Sequence, residues 1–222
     1  MNIADKPQGL RVWDLPTRVF HGLLIVNVGG AVGTGLAGAM DWHVRCGLAS
    51  AALLTFRLVW GLVGGRWSRF RRFRVAPAAL WRYVRGREEV HVGHSPLGAL
   101  AILAMLAVLL AQVGTGLVAD DEVATTGPLA RFVADSVTHA ATGWHKHYGP
   151  WLIYALVALH LVAVLVYTLR GRAIVAAMWH GDQRVDAVAP LPPPSRDDLA
   201  ARLFALALFA ACAAGAVWLA RP

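Results

Sequence analysis

Charged residues are scarce in this sequence: Asp, Glu, Lys and Arg make up 15 % of its 222 residues, against about 25 % in a typical soluble domain. Hydrophobic residues make up 57 %, and the mean hydropathy is +0.53. The chain also contains several nearly uncharged runs of about 20 residues, the length that a helix needs to cross a bilayer. This composition excludes an ordinary soluble domain and predicts one polytopic membrane domain.

Cysteine is rare as well. The two cysteines, Cys46 and Cys212, lie in or beside separate apolar segments, and no CxxC or CxxCH motif occurs. A zinc ribbon, a thioredoxin-type site and covalent attachment of a c-type haem are therefore unsupported. A disulfide between Cys46 and Cys212 remains an alternative at this stage.

Positive charge is concentrated in one segment, residues 66–90, although the formal net charge of the whole chain is +8. The arginines of this segment are Arg66, Arg69, Arg71, Arg72, Arg74, Arg82, Arg85 and Arg87. Because the segment connects two apolar runs, the positive-inside rule explains its charge without a nucleic-acid partner. Tryptophan, phenylalanine and tyrosine are interleaved with the arginines, which predicts a partly helical segment at the lipid headgroups.

Five apolar segments are predicted to be transmembrane helices. They cover residues 16–40, 42–64, 96–119, 144–169 and 199–219. The first could be a signal peptide, but its apolar run exceeds the usual 7–15 residues, which favours a retained helix. A short surface helix is expected within residues 127–139.

The predicted fold class is an all-α membrane protein with a four-helix transmembrane bundle and a fifth C-terminal transmembrane helix. Its bundle domain covers residues 1–184, a proline-rich linker covers 185–198, and the appended helix lies within 199–222. The loops after the second and fourth helices are basic and the loop after the third is acidic. The N-terminus is therefore expected in the cytoplasm and residues 120–143 outside.

Four of the nine histidines are expected at matched depths in the bundle. His21 and His160 lie toward the cytoplasmic side, and His43 and His145 lie near the outer side, so each pair joins two different helices. Histidine within a membrane helix is costly and is usually functional. Side chains on facing helices of such a bundle can hold a cofactor in its core.

The remaining histidines are assigned differently. His91, His139 and His180 fall in polar loops and are expected at the surface. His94 begins the third helix, where it could be a helix-entry residue or a quinone or propionate contact.

Helical geometry tests the two candidate ligands on the fourth helix. From His145 to His160 is 15 steps of about 100° each, which leaves the rings about 60° apart and about 22 Å apart along the axis. From His147 to His160 is 13 steps, which leaves about 140°. His145 is thus the stronger candidate and His147 the alternative, unless Pro150 distorts the first turn.

A short repeat supports the choice of His145. The pattern WHxxxG occurs at residues 42–47 and again at 144–149. Gly47 and Gly149 follow their histidines by four residues, on the same helix face. A missing side chain there would leave room for a flat macrocycle, whereas the alternative is an interfacial Trp-His pair with a packing glycine.

Arg57 is a second unusual residue within a predicted span. It follows His43 by 14 residues and so shares its face of the second helix, about 40° from exact alignment. Arginine pairs well with carboxylates, so a haem propionate is one expected partner. The alternative is a side chain that reaches toward the inner interface.

Together these residues resemble the bacterial diheme cytochrome b superfamily, which includes cytochrome b-561 and the b-type cytochrome subunits of nickel–iron hydrogenases. The resemblance covers roughly residues 11–184. The stretches that carry it are VWDLPTRVFH at residues 12–21, HVRCG at 43–47, FRLVWG at 56–61, GHSPLG at 93–98 and ALH at 158–160.

The resemblance implies a four-helix bundle in the bacterial inner membrane with two haem b groups. His21 and His160 would hold the cytoplasmic haem, and His43 and His145 the outer one. Arg18, in the first of these stretches, is assigned to the cofactor-binding set with Arg57 and His94. The histidines of the fourth helix are usually 14 residues apart in this superfamily, whereas here the candidates are 15 or 13 apart.

The expected function is electron transfer across the membrane. It would link an outer redox partner (a dehydrogenase, a hydrogenase, a cytochrome c or superoxide) with the quinone pool, ubiquinone or menaquinone, in a respiratory chain. A quinone-linked oxidoreductase and a haem-carrying anchor subunit of a larger complex are related alternatives. A histidine-lined transporter for a metal or for protons is an alternative of a different class.

Overall fold

The computed structural model describes residues 8–87, 92–123, 125–185 and 191–221. His91 and residues 186–190 of the predicted linker lie outside these ranges. Within these ranges five helices are long and apolar enough to cross a membrane, as the sequence predicts. The predicted fold class is therefore confirmed: the chain is a multi-pass helical membrane protein.

The first two long helices are α1, Leu15–Leu36, and α2, Met40–Val63. They are joined by a turn of three residues, in which Gly38 has a φ of +71°. A side chain would be strained in that conformation, so glycine allows the chain to reverse within the turn. Asn27 on α1 contacts α2: its side-chain amide donates to the Cys46 carbonyl (2.9 Å) and to Ser50 Oγ (2.7 Å). Asn27 thereby satisfies its donors inside an apolar setting.

The arginine-rich segment contains two short helical pieces, as expected. A 3₁₀ turn covers Phe70–Arg72, and the helix α3 covers Pro77–Val84. Pro77 begins α3, where the missing N–H of proline has no cost. The charges of neighbouring arginines, Arg66 above all, lower the pKa of Arg72 below its ordinary value. Several cations are therefore crowded at this surface.

The third long helix is α4, Pro96–Val118, and the fifth is α8, Leu199–Leu219. The fourth is longer than predicted and is composite: α5, Asp135–Gly143, a π turn, Trp144–Tyr148, and α6, Gly149–Leu169, follow one another directly. The helix expected within residues 127–139 is instead a 3₁₀ turn, Ala130–Phe132, followed by α5. The connection between α6 and the linker contains α7, Ile174–His180.

A two-stranded ribbon accompanies the helices, and the sequence analysis did not predict it. Strand β1, Gln8–Arg11, pairs antiparallel with β2, Asp182–Val185, with Gln8 opposite Val185 and Arg11 opposite Asp182. The buried residues around it are Leu10, Val12, Trp13, Ala177 and Val185. Strands of four residues show too little alternation to stand out in a sequence.

Contacts divide the chain into two compact units. One contains residues 1–19, 59–103 and 158–205, and the other contains 20–58, 104–157 and 206–222. The first unit holds the ribbon, the arginine-rich segment and the linker. The second holds most of α1, the first part of α2, the π turn and the end of α8.

The start of α1 is anchored in the first unit by two carboxylates. Asp14 is fully buried and accepts hydrogen bonds from the Thr17 N–H (2.8 Å), Ser68 Oγ (2.7 Å) and Trp60 Nε1 (3.2 Å). Asp197 accepts from the Leu15 N–H (3.0 Å). Both satisfy N–H groups that the first turn of a helix leaves unpaired.

The described part of the linker is held against the same unit. Ser195 donates through Oγ to the Val12 carbonyl (2.7 Å), and its N–H donates to the Arg11 carbonyl (2.7 Å). Asp197 also forms ion pairs with Arg11 and Arg202 at 3.2 and 3.1 Å. The residues that precede α8 are therefore tied to the beginning of the chain.

Candidate functional site

Two of the predicted ligands, His43 and His145, face each other in the second unit. Their ring centroids are 5.8 Å apart and their planes lie at 79°. His43 lies in the first turn of α2 and His145 in the π turn, and both side chains are partly buried. Two helical segments far apart in sequence thus bring two imidazoles to one point.

Both rings are held by the same type of hydrogen bond. His43 Nδ1 lies 2.8 Å from the Ala31 carbonyl, and His145 Nδ1 lies 2.9 Å from the Gln112 carbonyl. A carbonyl oxygen only accepts, so each Nδ1 carries the proton. In a neutral imidazole this leaves the Nε2 lone pair available, which is the arrangement that a metal-ligating histidine requires.

Two glycines allow the rings to approach the neighbouring helices closely. A Cβ on Gly35 would lie 3.0 Å from His43 Nδ1, and a Cβ on Gly116 would lie 2.6 Å from His145 Cε1. A side chain at either position would require the ring to move. These glycines belong to α1 and α4, so four helical segments contribute to the placement of the two rings.

The spacing of the two rings would suit a haem held between them. Centroids of two imidazoles on opposite sides of one metal lie about 6 Å apart, because each nitrogen–metal bond is about 2 Å and each ring adds about 1 Å. The observed 5.8 Å is close to this distance. Among the described residues no cluster of three or more His, Cys, Asp or Glu side chains could hold a metal ion, whereas a haem needs only two protein ligands of this kind.

The π turn favours His145 over His147 as the candidate partner of His43. His147 is exposed, while the His145 ring is partly buried and lies 5.8 Å from the His43 ring. A π turn contains one residue more than an α-helical turn allows. The 15 residues from His145 to His160 therefore advance the helix as 14 α-helical residues would, the spacing that the superfamily resemblance implies. The expected distortion is present, and it lies just before Pro150.

Gln112 on α4 contacts His145 at two points. Its carbonyl accepts from His145 Nδ1–H, and its side-chain Nε2 donates to the His145 carbonyl at 3.0 Å. The amide rests over Gly149, where an added Cβ would overlap Gln112 Oε1. Gly149 therefore makes room for Gln112, which differs from the predicted role of leaving room for a macrocycle.

Gly47, in the other copy of the repeat, has open space: a Cβ there would meet nothing within 4 Å among the described residues. The two copies thus differ in what their glycines face.

Cys46 and Cys212 are both free thiols, so the alternative of a disulfide between them is wrong.

The other predicted cofactor-binding residues occupy several places. Arg57 is buried on α2, with 4 % of its surface exposed. Arg18 donates to the Trp179 carbonyl. His94 packs against Trp13 and Phe73, with ring centroids at 4.5 and 5.0 Å. His94 thus lies in an aromatic cluster at the start of α4.

The predicted second pair of ligands, His21 on α1 and His160 on α6, is partly buried. His21 belongs to one compact unit and His160 to the other. The histidines expected at the surface, where described, are exposed: His139 lies 3.3 Å from Glu122, and His180 ends α7.

Sequence reasoning missed Gln112, Gly35 and Gly116. Glutamine in a predicted transmembrane helix was a signal that could have been used, because a polar side chain there needs a partner. The glycines gave no such signal, since α1 alone contains five glycines and helix packing also explains them.

Comparison with known proteins identifies a family. The sequence model of the prokaryotic cytochrome b561 family matches residues 12–181. No curated protein and no solved structure matches the chain. The family match covers all four long helices of the predicted bundle, both facing histidines and His21 and His160. The chain therefore belongs to the prokaryotic cytochrome b561 family and is a transmembrane electron-transfer protein that binds b-type haem.

Proposed function

We propose that this cytochrome carries electrons across the membrane through two b-type haems, one between His43 and His145 and one between His21 and His160. The facing pair of His43 and His145 is the observation on which the proposal mainly rests. The second pair rests on the matched depths of His21 and His160 in the sequence and on the superfamily resemblance.

The residues of the first pair have separate tasks. The carbonyls of Ala31 and Gln112 accept from the two Nδ1–H groups, which leaves both Nε2 atoms free of a proton and able to bind a metal. A b-type haem held by these two histidines would supply one-electron transfer rather than oxygen binding. We assign Arg57, Arg18 and His94 to contacts with haem propionates or with a quinone.

We further propose that the N-terminus and the arginine-rich segment face the cytoplasm, because arginine is concentrated in cytoplasmic loops. The His43–His145 haem then lies toward the outer side. The outer acidic residues partly stabilise their own loop: Asp121 accepts from the Val123 and Thr125 N–H groups, at 3.0 and 2.8 Å. A soluble partner would dock beside this loop, while a quinone would exchange electrons at the cytoplasmic side.

Proteoliposomes that enclose ferricyanide test this function. External dithionite, which does not cross the bilayer, should reduce the internal ferricyanide only when the protein is present. The matched control is the His43→Ala protein, which should lack one haem and conduct much more slowly. Rates equal to those of protein-free liposomes would contradict the proposal.

Quinone linkage has its own test. Ubiquinol or menaquinol added to the oxidised protein should reduce its haems within the mixing time of a stopped-flow experiment, and an unreactive protein would contradict quinone linkage. A protein that purifies without any haem, after expression with adequate haem supply, would instead favour the transporter alternative.

A further inference from the structure

We propose that Gln112 is a positioning residue for the haem ligand His145, because it holds the π turn in which this ligand lies. The inference rests on the proposed function in one respect: it takes His145 as an axial ligand. It adds a residue of α4 that the family match does not assign.

The need for such a residue follows from the backbone. In an α-helix the His145 carbonyl would accept from the Gly149 N–H, but the Gly149 N–H donates to the Trp144 carbonyl instead. In the π pattern the carbonyl would accept from the next residue, Pro150, which has no N–H. Neither regular donor is therefore available to the His145 carbonyl.

Gln112 supplies the missing donor. Its side-chain Nε2 lies 3.0 Å from the His145 carbonyl oxygen. A carbonyl left without a partner inside the protein is destabilising, so this bond favours the π turn over a regular helix.

The same residue also holds the ring. The Gln112 backbone carbonyl accepts from His145 Nδ1–H at 2.9 Å. The side chain of Gln112 thus binds the backbone of His145, and the backbone of Gln112 binds the His145 imidazole. A rotation of the His145 ring would break its hydrogen bond to the Gln112 carbonyl. In an α-helical turn the His145 carbonyl would accept from the Gly149 N–H and would no longer need Gln112 Nε2.

Gly149 completes the arrangement. The Gln112 amide lies where a Cβ of residue 149 would be, so only glycine admits it. The sequence Gly149-Pro150 therefore does two things: proline removes a donor, and glycine leaves room for the replacement.

The angle between the two imidazole planes gives a direct readout. The anisotropy of the low-spin ferric EPR signal depends on this angle, which is 79° for His43 and His145. The haem potential depends on the same axial ligands. If Gln112 only supported folding, its substitution would change neither the EPR signal nor the haem potential of the molecules that fold.

The experiment compares Gln112→Met and Gln112→Glu with the wild type. Methionine keeps the volume without a donor, and glutamate keeps the shape but cannot donate when ionised. Thr168→Val is the matched control, since Thr168 Oγ1 donates to the Val164 carbonyl of its own helix and not to Gln112 or His145. EPR spectra, redox titrations and haem content are measured for each folded protein.

Both Gln112 variants should change the EPR signal and the midpoint potential of one haem, and weaken the binding of this haem by roughly 10–100-fold. The other haem and the Thr168→Val protein should match the wild type. Wild-type spectra and potentials in both Gln112 variants would overturn the proposal, even if His145→Ala removes a haem. If His145→Ala retains both haems, the ligand assignment itself is wrong and the role of Gln112 falls with it.

Discussion

The His43 and His145 rings face each other with their centroids 5.8 Å apart, and the proton of each Nδ1 is donated to a backbone carbonyl of a neighbouring helix. Each ring is thus held through its Nδ1 atom by a main-chain carbonyl, which no side-chain substitution can remove. Glycines at the points of closest approach, Gly35 and Gly116, permit this geometry.

Gly116→Ala should disturb one ligand without altering the polarity of the site. The new methyl group would lie 2.6 Å from His145 Cε1, so the ring must move away from the Gln112 carbonyl. We expect the haem of this pair to bind roughly 10–100-fold more weakly, measured by haem content after dilution into apomyoglobin as an acceptor.

The control is Gly114→Ala on the same helix, because a Cβ there meets nothing within 4 Å among the described residues. It should retain haem like the wild type. Equal retention by the Gly116→Ala and Gly114→Ala proteins would show that the close approach at Gly116 has no role in holding His145.

Asp14 should be important for stability because it joins α1 to two other segments. Asp14→Ala removes the carboxylate that accepts from the Thr17 N–H at the start of α1. It also removes one hydrogen-bond acceptor from each of the buried donors of Ser68 and Trp60. The expected cost is about 2 kcal/mol or more, seen as a lower thermal midpoint in detergent. The comparison is Asp198→Ala, which removes an exposed cap from α8 and should cost about 1 kcal/mol. An equal or smaller loss for Asp14→Ala would contradict this role.

The contribution of Asp197 should depend on pH. Burial by itself would raise the pKa of Asp197, but the hydrogen bonds from Arg202 and from the Leu15 N–H, together with the charges of Arg202 and Arg11, lower this pKa below its ordinary value. The stabilisation is therefore complete above the unfolded-state pKa, about 3.9, and is lost as pH falls through the lower folded-state pKa.

The thermal midpoints of the wild type and of Asp197→Asn measure this dependence. The wild type should be more stable at pH 7, and the difference should shrink only at pH values below about 4. A difference that is constant down to pH 3, or that grows as pH falls, would contradict the assignment of the ion pairs to Asp197.

The sequence predicts the long helices well because their signal is local. An apolar run of about 20 residues must cross the membrane or be buried, wherever the rest of the chain lies. The ends of α4 and α8 agree with the prediction within one residue. The ribbon between residues 8–11 and 182–185 was missed because its two strands are short and find each other only in the folded chain.

Counting helical angles from the sequence gives only part of the basis for choosing between His145 and His147. A regular helix was the only basis for counting angles, and it favoured His145 with an offset of about 60°. The π turn changes this offset by one residue, and it depends on Pro150 together with Gln112, which is 33 residues from His145. A local rule could indicate that Pro150 distorts the helix, but not which side chain would stabilise the distortion.

The most direct test of the site is the haem content of three alanine variants beside the wild type, measured as the pyridine haemochrome per chain. We predict two haems b in the wild type and in His147→Ala, and one haem in both His43→Ala and His145→Ala. Two haems in His145→Ala with one in His147→Ala, or no haem in the wild type, would contradict the pairing of His43 with His145.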